Sequence, residues 1–360
     1  MKKIIDEYPK EMRALVLHDV ADLRLETVPV PELTEGSVLL KIQACGICSS
    51  DKERVFVTGT YHFPTIPGHE FAGKIVAAAD DVDEELLGRR ASVFPMLPCM
   101  ECDACKIEQY AQCSHYNYFG SRCDGGFAEY LVVPVWNLVL YDESVPYEIA
   151  ALSEPSAVSL HAVSIGNIKK GEKVAVVGTG TIGFLVAAFA KNLTDQVVIC
   201  GRSENKLSYA RKLGFETINL TSESYKNVMK SLVGEGGFDV VFEAVGSNAT
   251  IEQSVDLAGN FGRVVLLGNP KKDLKMEKNV YWSILRKQKQ IMGSWNSSYG
   301  SEVNDWAVVA DWMKKGSFDF SQLITHRFSM DEYEKAFQLI RKEKDKEFLL
   351  KVMIMIGDEE

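Results

Sequence analysis

Four of the eight cysteines could hold a metal ion together. They lie in the segment CMECDACKIEQYAQC, separated by two, two and seven residues: Cys99, Cys102, Cys105 and Cys113. Gaps of two residues let successive thiolates converge on one ion, and a short loop can bring the fourth around to complete a tetrahedron. An iron–sulfur cluster is the alternative, but no proline follows the last cysteine and no second cluster motif is present. The spacing therefore predicts a structural zinc site, because four protein ligands leave no open position.

A second group of residues has the mixed donors of a catalytic metal site. Cys48 lies in ACGICSSDKERVF, and His69 and Glu70 follow in IPGHEF. A catalytic zinc keeps one position open and so uses fewer cysteines. Taken alone, His69 would be an ordinary surface or core histidine, and Cys45 with Cys48 could equally form a redox pair. Glu154, in LSEPSAVSLHA, is a further acid to consider, although it could simply stabilise a helix N-terminus.

A glycine-rich turn predicts a site for a dinucleotide. In EKVAVVGTGTIGFLVAAFAKNL a buried strand, Lys173 to Val177, leads into Gly178-Thr179-Gly180-Thr181-Ile182-Gly183 and then into an apolar helix. This pattern is informative because the turn follows a strand and opens a helix. The first glycine permits a tight turn, the second lets a pyrophosphate approach the backbone, and the third lets helix and strand pack closely. The helix N-terminus then faces the phosphates.

The segments that must position these residues alternate between strand and helix after the glycine turn. Further strands are predicted over Val197–Cys200, Thr217–Leu220, Asp239–Ala244, Arg263–Leu267 and Gln290–Met292. With the first strand this makes six, the number in a full doubly wound parallel sheet. The fold class is therefore α/β.

Composition limits the possible functions. The 360 residues are 46% hydrophobic and 25% charged, with a net charge of −10, which is enough chain for two ordinary domains. Nucleic acid is excluded as a bulk partner because no long basic run is present. The segment that contains the four closely spaced cysteines is acidic and would repel phosphate. The N-terminal segment is not a secretory signal, and the densest apolar stretch, 182–190, is too short for a membrane span. We expect a cytoplasmic protein, in which eight cysteines favour metal sites over disulfides.

Taken in order, the Gly-His-Glu segment, the four-cysteine lobe and the glycine turn resemble the zinc-dependent medium-chain dehydrogenases. Within this family, GSRCDGGFAEY (120–130) and LRKQKQIMGSW (285–295) resemble the polyol dehydrogenases. The resemblance implies a GroES-like β-rich catalytic domain over 1–160 and 298–360, with a zinc lobe at about 95–117, and an inserted Rossmann domain over 161–297. The C-terminal segment is consistent with this division, because Ser329 and Glu332 are predicted to form a capping box and FLLKVMIMI is predicted to form a terminal strand. Relatives form homodimers or homotetramers.

The resemblance also implies roles for single residues and two zinc ions per chain. The catalytic ion would use three of four ligands and exchange one of them: Cys48, His69, Glu70 and Glu154. Ser50 matches the hydroxyl that takes the proton of the alcohol, and Asp51 matches the acid that orients the histidine ligand. Cys45 is then not a redox partner. Many relatives end a proton relay on a histidine five residues after the cysteine, where this chain has Glu53.

The end of the second Rossmann strand bears on the choice between NAD and NADP. NAD enzymes usually place an acid there to hold the adenosine ribose. In VVICGRSENK that place belongs to Gly201, followed by Arg202 and Ser203, with Lys206 one turn into the next helix. An arginine can pair with a 2′-phosphate, so the sequence favours NADP. In the alternative reading Arg202 stacks on adenine and Glu204 serves the ribose of NAD.

The resemblance further implies that the substrate is a small sugar alcohol, most readily galactitol 1-phosphate, oxidised to the ketose phosphate. An arabitol or ribitol phosphate, or an unphosphorylated polyol of the sorbitol or iditol type, is the alternative. A phosphate dianion far from the reacting carbon needs counter-charge, and Arg54 and Arg122 lie in segments that border the pocket in relatives. Either arginine could instead pair with a surface acid such as Asp124.

Overall fold

The computed structural model of the chain describes residues 3–4, 7–342 and 348–357. In these ranges the strands are β1 Lys3–Ile4, β2 Glu11–Asp19, β3 Asp22–Pro29, β4 Ser37–Ile47, β5 Glu70–Ala78, β6 Arg90–Val93, β7 Met96–Leu97, β8 Asn117–Tyr118, β9 Tyr130–Pro134, β10 Leu138–Tyr141, β11 Val174–Val177, β12 Val197–Gly201, β13 Glu216–Asn219, β14 Phe238–Glu243, β15 Ala258–Leu266, β16 Gln290–Gly293, β17 Ile324–Ser329 and β18 Lys351–Met355. The helices are α1 Ser49–Glu53, α2 Asp103–Lys106, α3 Tyr147–Ala150, α4 Ser153–Gly166, α5 Thr181–Lys191, α6 Glu204–Lys212, α7 Tyr225–Val233, α8 Asn248–Leu257, α9 Lys278–Arg286, α10 Asp305–Lys315 and α11 Tyr333–Arg341. None of the helices in the described ranges combines the length and apolar character that a transmembrane span requires.

The chain divides into two compact units. The first combines Met1–Glu154 with Ser298–Glu360, and the second is Pro155–Ser297. The first boundary therefore falls after Glu154, where the sequence analysis placed it after residue 160. The outer limits of the predicted catalytic domain, residues 1 and 360, lie outside the described residues.

The first unit is built on a mixed, mainly antiparallel sheet in the order β10-β6-β5-β4-β18-β17, with β1 on β5 and β9 on β4. Its central strand β4 is buried at ten of its eleven residues, and only Lys41 is exposed. The predicted terminal strand is confirmed, because β18 lies between β4 and β17. The predicted capping box is also confirmed: Ser329 and Glu332 cap the helical turn that leads into α11.

The ends of three strands set the position of the predicted metal ligands. Strand β4 ends at Ile47, and Cys48 is the N-cap of the following helix α1. Strand β5 begins at Glu70, which is paired with Gly46 of β4. On the other side of β4, Val352 of β18 is paired with Ile47. The register therefore brings Cys48, Glu70 and the first residue of β18 to one end of the sheet.

The second unit is a six-stranded parallel sheet in the order β13-β12-β11-β14-β15-β16. This is the doubly wound order of the Rossmann fold, with its switch point between β11 and β14. Five of the six predicted strands agree with the structure within one residue at each end. The fifth, predicted from Arg263, begins at Ala258 because an irregular stretch pairs Ala258 with Phe238 before the regular register starts at Arg263. The sequence did not predict this extension because it contains glycines at 259 and 262, and glycine is unfavourable within a strand.

Candidate active site

The four cysteines of the lobe converge as their spacing predicts. The separations between sulfur atoms are 3.5 Å for Cys102–Cys105, 3.8 Å for Cys102–Cys113, 3.5 Å for Cys99–Cys113 and 4.0 Å for Cys99–Cys105. Four thiolates bound to zinc at about 2.3 Å would lie about 3.8 Å apart in a regular tetrahedron. All eight cysteines lie in the described ranges, and all are free. The lobe therefore has the donor set and the spacing of a closed zinc site.

Part of the second predicted group also comes together. The ligand atoms of Cys48, His69 and Glu70 lie within 4.8 Å of one another. Sulfur, imidazole nitrogen and carboxylate oxygen are all zinc donors, and three protein ligands leave a position open. At zinc bond lengths such atoms would be about 3.3–3.8 Å apart, so an ion would need to draw them only slightly closer. The group fits a catalytic zinc ion.

Asp51 connects the parts of this group. It is fully buried, and its carboxylate accepts the backbone N–H of Cys48 at 2.9 Å. Its Oδ1 lies 3.3 Å from Nδ1 of His69, an ion-pair distance without the alignment of a hydrogen bond. Burial raises the pKa of the Asp51 carboxyl, but His69, Arg54 and the Cys48 N–H outweigh burial and hold it below its ordinary value. The carboxylate therefore stays charged beside the imidazole, as an orienting acid must.

Glu70 has a cationic partner that the sequence analysis missed. Nζ of Lys351, at the start of β18, contacts Oε2 of Glu70 and lies 3.4 Å from the carbonyl oxygen of Ile47. Lys351 is only 4% exposed and Glu70 only 1%. Burial lowers the pKa of Lys351, but the charges of Glu70 and Cys48 outweigh it, so the ammonium group stays protonated. The single lysine within FLLKVMIMI could have predicted this ion pair, because a charge in a buried strand requires a partner.

Glu154 lies near this group but outside its tight cluster. It is in the first turn of α4 and accepts a hydrogen bond from the hydroxyl of Tyr118 at 3.2 Å. The Tyr118 ring lies 5.8 Å from the His69 ring. Burial raises the pKa of Tyr118 well above its ordinary value, so it remains a donor. Burial also raises the pKa of Glu154, to about 6. No sequence pattern indicated that Tyr118, on the two-residue strand β8, would lie beside these residues.

Ser50 and Arg54 contact each other. Nη1 of Arg54 donates to Oγ of Ser50 at 2.9 Å and to Oδ1 of Asp51 at 3.2 Å. The two residues are one helical turn apart, so the spacing of four was a signal that the sequence analysis did not use. The predicted phosphate-binding arginine thus faces the predicted proton acceptor.

Arg122 lies between two aromatic rings. Its guanidinium is 4.1 Å from the ring centre of Tyr61 and 4.4 Å from that of Tyr116, and Nη2 donates to the Tyr61 hydroxyl at 3.2 Å. The Tyr116 ring is 6.5 Å from the ring of Tyr118, and the Tyr118 ring in turn lies near the ring of His69. Asp124, considered as an alternative partner, accepts the backbone N–H of Ile66 at 2.9 Å.

The glycine turn has the shape required for a dinucleotide. A Cβ atom on Gly183 would lie 2.1 Å from the carbonyl oxygen of Gly178, so helix α5 can pack this closely only on glycine. Gly178 has φ +132°, which favours glycine. A Cβ on Gly180 would meet no atom within 4 Å, which leaves open space over the turn. Thr181 and Ile182 begin α5, whose N-terminus borders this space.

The residues expected to choose the cofactor lie where β12 ends and α6 begins. A Cβ on Gly201 would lie 2.4 Å from Cγ2 of Thr179, so an acid could not take this place without displacing it. Arg202 and Ser203 are exposed, and Lys206 is partly buried in the first turn of α6. The carboxylate of Glu204 contacts Arg211 and accepts from Asn219 at 3.1 Å.

Comparison with known proteins agrees with a zinc site in the first unit and a dinucleotide site in the second. The profile of the alcohol dehydrogenase GroES-like domain matches residues 34–143, and that of the zinc-binding dehydrogenases matches 181–315. Galactitol 1-phosphate 5-dehydrogenase of Escherichia coli (strain K12) is 32% identical over 92% of this chain and 97% of its own. The chain belongs to the zinc-dependent medium-chain dehydrogenase family. The predicted family, the GroES-like and Rossmann folds, and an oxidoreductase using zinc and NAD(P) are thereby confirmed.

Two solved structures and a further relative named for another substrate extend the comparison. A crystal structure of galactitol-1-phosphate dehydrogenase from Escherichia coli has a TM-score of 0.88, with 30% identity over 96% of this chain and all of that one. L-threonine 3-dehydrogenase of Proteus mirabilis is 33% identical over 87% of this chain and 92% of its own. A zinc-binding dehydrogenase of Sinorhizobium meliloti, solved with NADP, has a TM-score of 0.87 and 28% identity over 96% of this chain and all of that one.

Proposed function

We propose that this dehydrogenase transfers a hydride between a sugar alcohol phosphate and NADP, with galactitol 1-phosphate as the first candidate. The placement of Arg122 carries the phosphate part of the proposal. Its guanidinium is held between the rings of Tyr61 and Tyr116, on a series of rings that continues through Tyr118 to His69. A stacked guanidinium keeps its planar edge available for the oxygens of a phosphate group.

The side chains of the first unit would divide the remaining work. Bound zinc would supply a Lewis acid that favours loss of the alcohol proton, and bound NAD(P) would supply the hydride acceptor. Cys48, His69 and Glu70 would hold the catalytic ion, with Glu154 as the ligand that exchanges, and the four-cysteine lobe would hold a second ion. The hydroxyl of Ser50 accepts the alcohol proton at Oγ and releases its own proton toward solvent. Asp51 keeps the His69 ring in one orientation.

The preference for NADP rests on three features of the second unit. Gly201 leaves no acid at the end of β12, and a side chain there would have to displace Cγ2 of Thr179. Glu204, the alternative partner for the ribose, is already engaged by Arg211 and Asn219. Arg202 is exposed at the same strand end and can pair with a 2′-phosphate. The relative from Sinorhizobium meliloti was solved with NADP.

A substrate panel with one variant tests the phosphate proposal. Arg122→Gln should raise KM for galactitol 1-phosphate by about 10- to 100-fold, the usual range for a lost charge-assisted hydrogen bond. Turnover of free galactitol should not change. Arg90→Gln is the matched control, because Arg90 also stacks on a tyrosine ring, at 4.3 Å from Tyr147. Equal losses on both substrates, or a wild-type preference for a free polyol or for L-threonine, would reject the phosphate proposal.

The cofactor proposal has its own variant. Arg202→Ala should lower kcat/KM for NADP by about tenfold or more and leave that for NAD nearly unchanged. Lys212→Ala removes a positive charge from the far end of the same helix, α6, and should alter neither value. A wild-type preference for NAD that Arg202→Ala leaves intact would contradict the proposal.

We also propose a homodimer or homotetramer. Strand β16 is an edge of the Rossmann sheet and carries exposed Ile291. Helix α9, which precedes β16 in the chain, has no buried residue and exposes Tyr281 and Leu285. A strand at a sheet edge and a helix with exposed apolar side chains are surfaces that a second copy can cover. Light scattering coupled to gel filtration tests this, and a monomer at micromolar concentration would contradict it.

A further inference from the structure

The side chain of Arg54 is directed at the two polar residues that follow Cys48. It is the first residue after helix α1, where a second helical turn, Arg54–Thr58, continues the chain. This continuation places the guanidinium over the turn that contains Ser50 and Asp51. Nη1 carries two N–H groups, which matches its two acceptors, Ser50 Oγ at 2.9 Å and Asp51 Oδ1 at 3.2 Å.

Asp51 makes this arrangement rigid. Its carboxylate is fully buried and holds the Cys48 N–H as well as the guanidinium. The Arg54 side chain is 21% exposed, so its ion pair with Asp51 is screened less than one on the surface. Because the guanidinium is planar and one N–H is bonded to a fixed carboxylate, the direction of the second N–H is nearly fixed as well. The position of Ser50 Oγ is therefore defined by Arg54 as well as by its own helix.

Hydrogen-bond accounting shows what the contact does to Ser50. A serine hydroxyl has one hydrogen to donate and two lone pairs that accept. The N–H of Arg54 takes one lone pair and keeps the Ser50 hydrogen away from that side. One lone pair and one hydrogen remain, which are what a group needs to take a proton from an alcohol and release its own.

We propose that Arg54 is a positioning residue for Ser50 in alcohol oxidation, and not a ligand of the substrate phosphate. The inference rests on the proposed function, because it assumes that Ser50 accepts the alcohol proton. The guanidinium cannot be deprotonated in a protein, so it does not carry the proton itself. It fixes the hydroxyl rotor, and its charge favours negative charge developing on the nearby oxygens. The proton passes from the alcohol oxygen to Ser50 Oγ, and the original Ser50 hydrogen leaves toward solvent.

A double-mutant cycle separates this role from a structural one. Arg54→Met should lower kcat by about 10- to 100-fold with KM nearly unchanged, equally for galactitol 1-phosphate and free galactitol. Arg54→Lys should recover part of the loss. In a Ser50→Ala background, Arg54→Met should cost no more than about two- to threefold, because residues that act through one another are not additive. Arg24→Met, which removes an exposed arginine paired with Asp22, is the control and should change nothing.

Two further measurements do not depend on turnover. The zinc content of Arg54→Met should equal that of the wild type, and its crystal structure should show the Ser50 hydroxyl in more than one rotamer. A loss in kcat of the same size with and without Ser50, or a loss restricted to the phosphate ester, would overturn the inference while the proposed function stands. A wild-type enzyme that oxidises no polyol would reject the proposed function, and the rotamer comparison would still test the contact.

Discussion

Replacing Lys351 with methionine should destabilise the first unit strongly. Methionine keeps most of the length and the apolar stem of lysine but removes the ammonium group. The Glu70 carboxylate would then remain in place at 1% exposure without its cation. The Cys48 sulfur and the Glu154 carboxylate interact with the same ammonium group and would lose it too. No solvent can take its place, because both partners of the pair are buried.

The size of the effect follows from burial. Removing one partner of a buried ion pair costs about 3–5 kcal/mol, because the other charge stays behind without compensation. For a unit of this size 1 kcal/mol lowers Tm by about 2–4 °C, so the expected loss is about 6–20 °C. An exposed pair contributes only about 0–1 kcal/mol. Lys335→Met is therefore the matched control, since Lys335 pairs with Glu332 at 2.9 Å while 71% exposed.

Differential scanning calorimetry measures this with zinc in the four-cysteine lobe and none at Cys48, because an ion bound by Glu70 would itself balance the carboxylate. The double variant Lys351→Met/Glu70→Gln should recover most of the lost stability, because it removes both charges together. If Lys351→Met melted no earlier than Lys335→Met, the reasoning would be refuted. The charge of Glu70 would then be balanced elsewhere, and Lys351 would not be needed beside it.

Three further predictions concern other parts of the chain. Cys102→Ser should remove one zinc ion and destabilise the protein, whereas Cys48→Ser should remove the other ion and all activity but leave the fold, as metal analysis and calorimetry would show. Gly183→Ala should weaken cofactor binding by at least tenfold in a fluorescence titration, since its Cβ would lie 2.1 Å from the Gly178 carbonyl oxygen. Burial and the charge of Lys287 lower the pKa of Lys289 to about 8. The unfolded chain then binds more protons between about pH 8 and 10.4, so stability should rise with pH over that interval, and Lys289→Met should not show the rise.

Much of the fold and part of the site were predictable because their signals are local. The cysteine lobe is fixed by short gaps within one segment, and the strands of the Rossmann sheet are short apolar runs that end near glycine or polar residues. Cys48, His69 and Glu70 came from resemblance and motif together. Each of these sequence patterns lies within a few residues of the side chains whose positions it predicts.

The contacts that decide charge and orientation were not predictable in this way. Lys351 and Glu70 are 281 positions apart and meet only because β18 pairs with β4. Tyr118 and Glu154 belong to a two-residue strand and a helix, and neither segment indicates the other. The contact of Arg54 with Ser50 has a local signal, because the two residues are four positions apart, but the resemblance to polyol dehydrogenases favoured a substrate role for Arg54. Such pairings depend on tertiary register, which the local patterns of a sequence do not reveal.

The charges at the end of strand β4 support a divalent cation there. The acidic groups are Cys48 as thiolate, Asp51, Glu70 and Glu154, and the cations are Arg54 and Lys351. The sum is two negative charges, held where burial makes uncompensated charge expensive. One zinc ion would balance them if His69 binds it as a neutral ligand. Burial, together with the nearby charge of Glu70, raises the pKa of Glu154 to about 6, which agrees with an excess of negative charge at this place. Lys351 and Arg54 thus reduce four acidic charges to the number that one zinc ion neutralises.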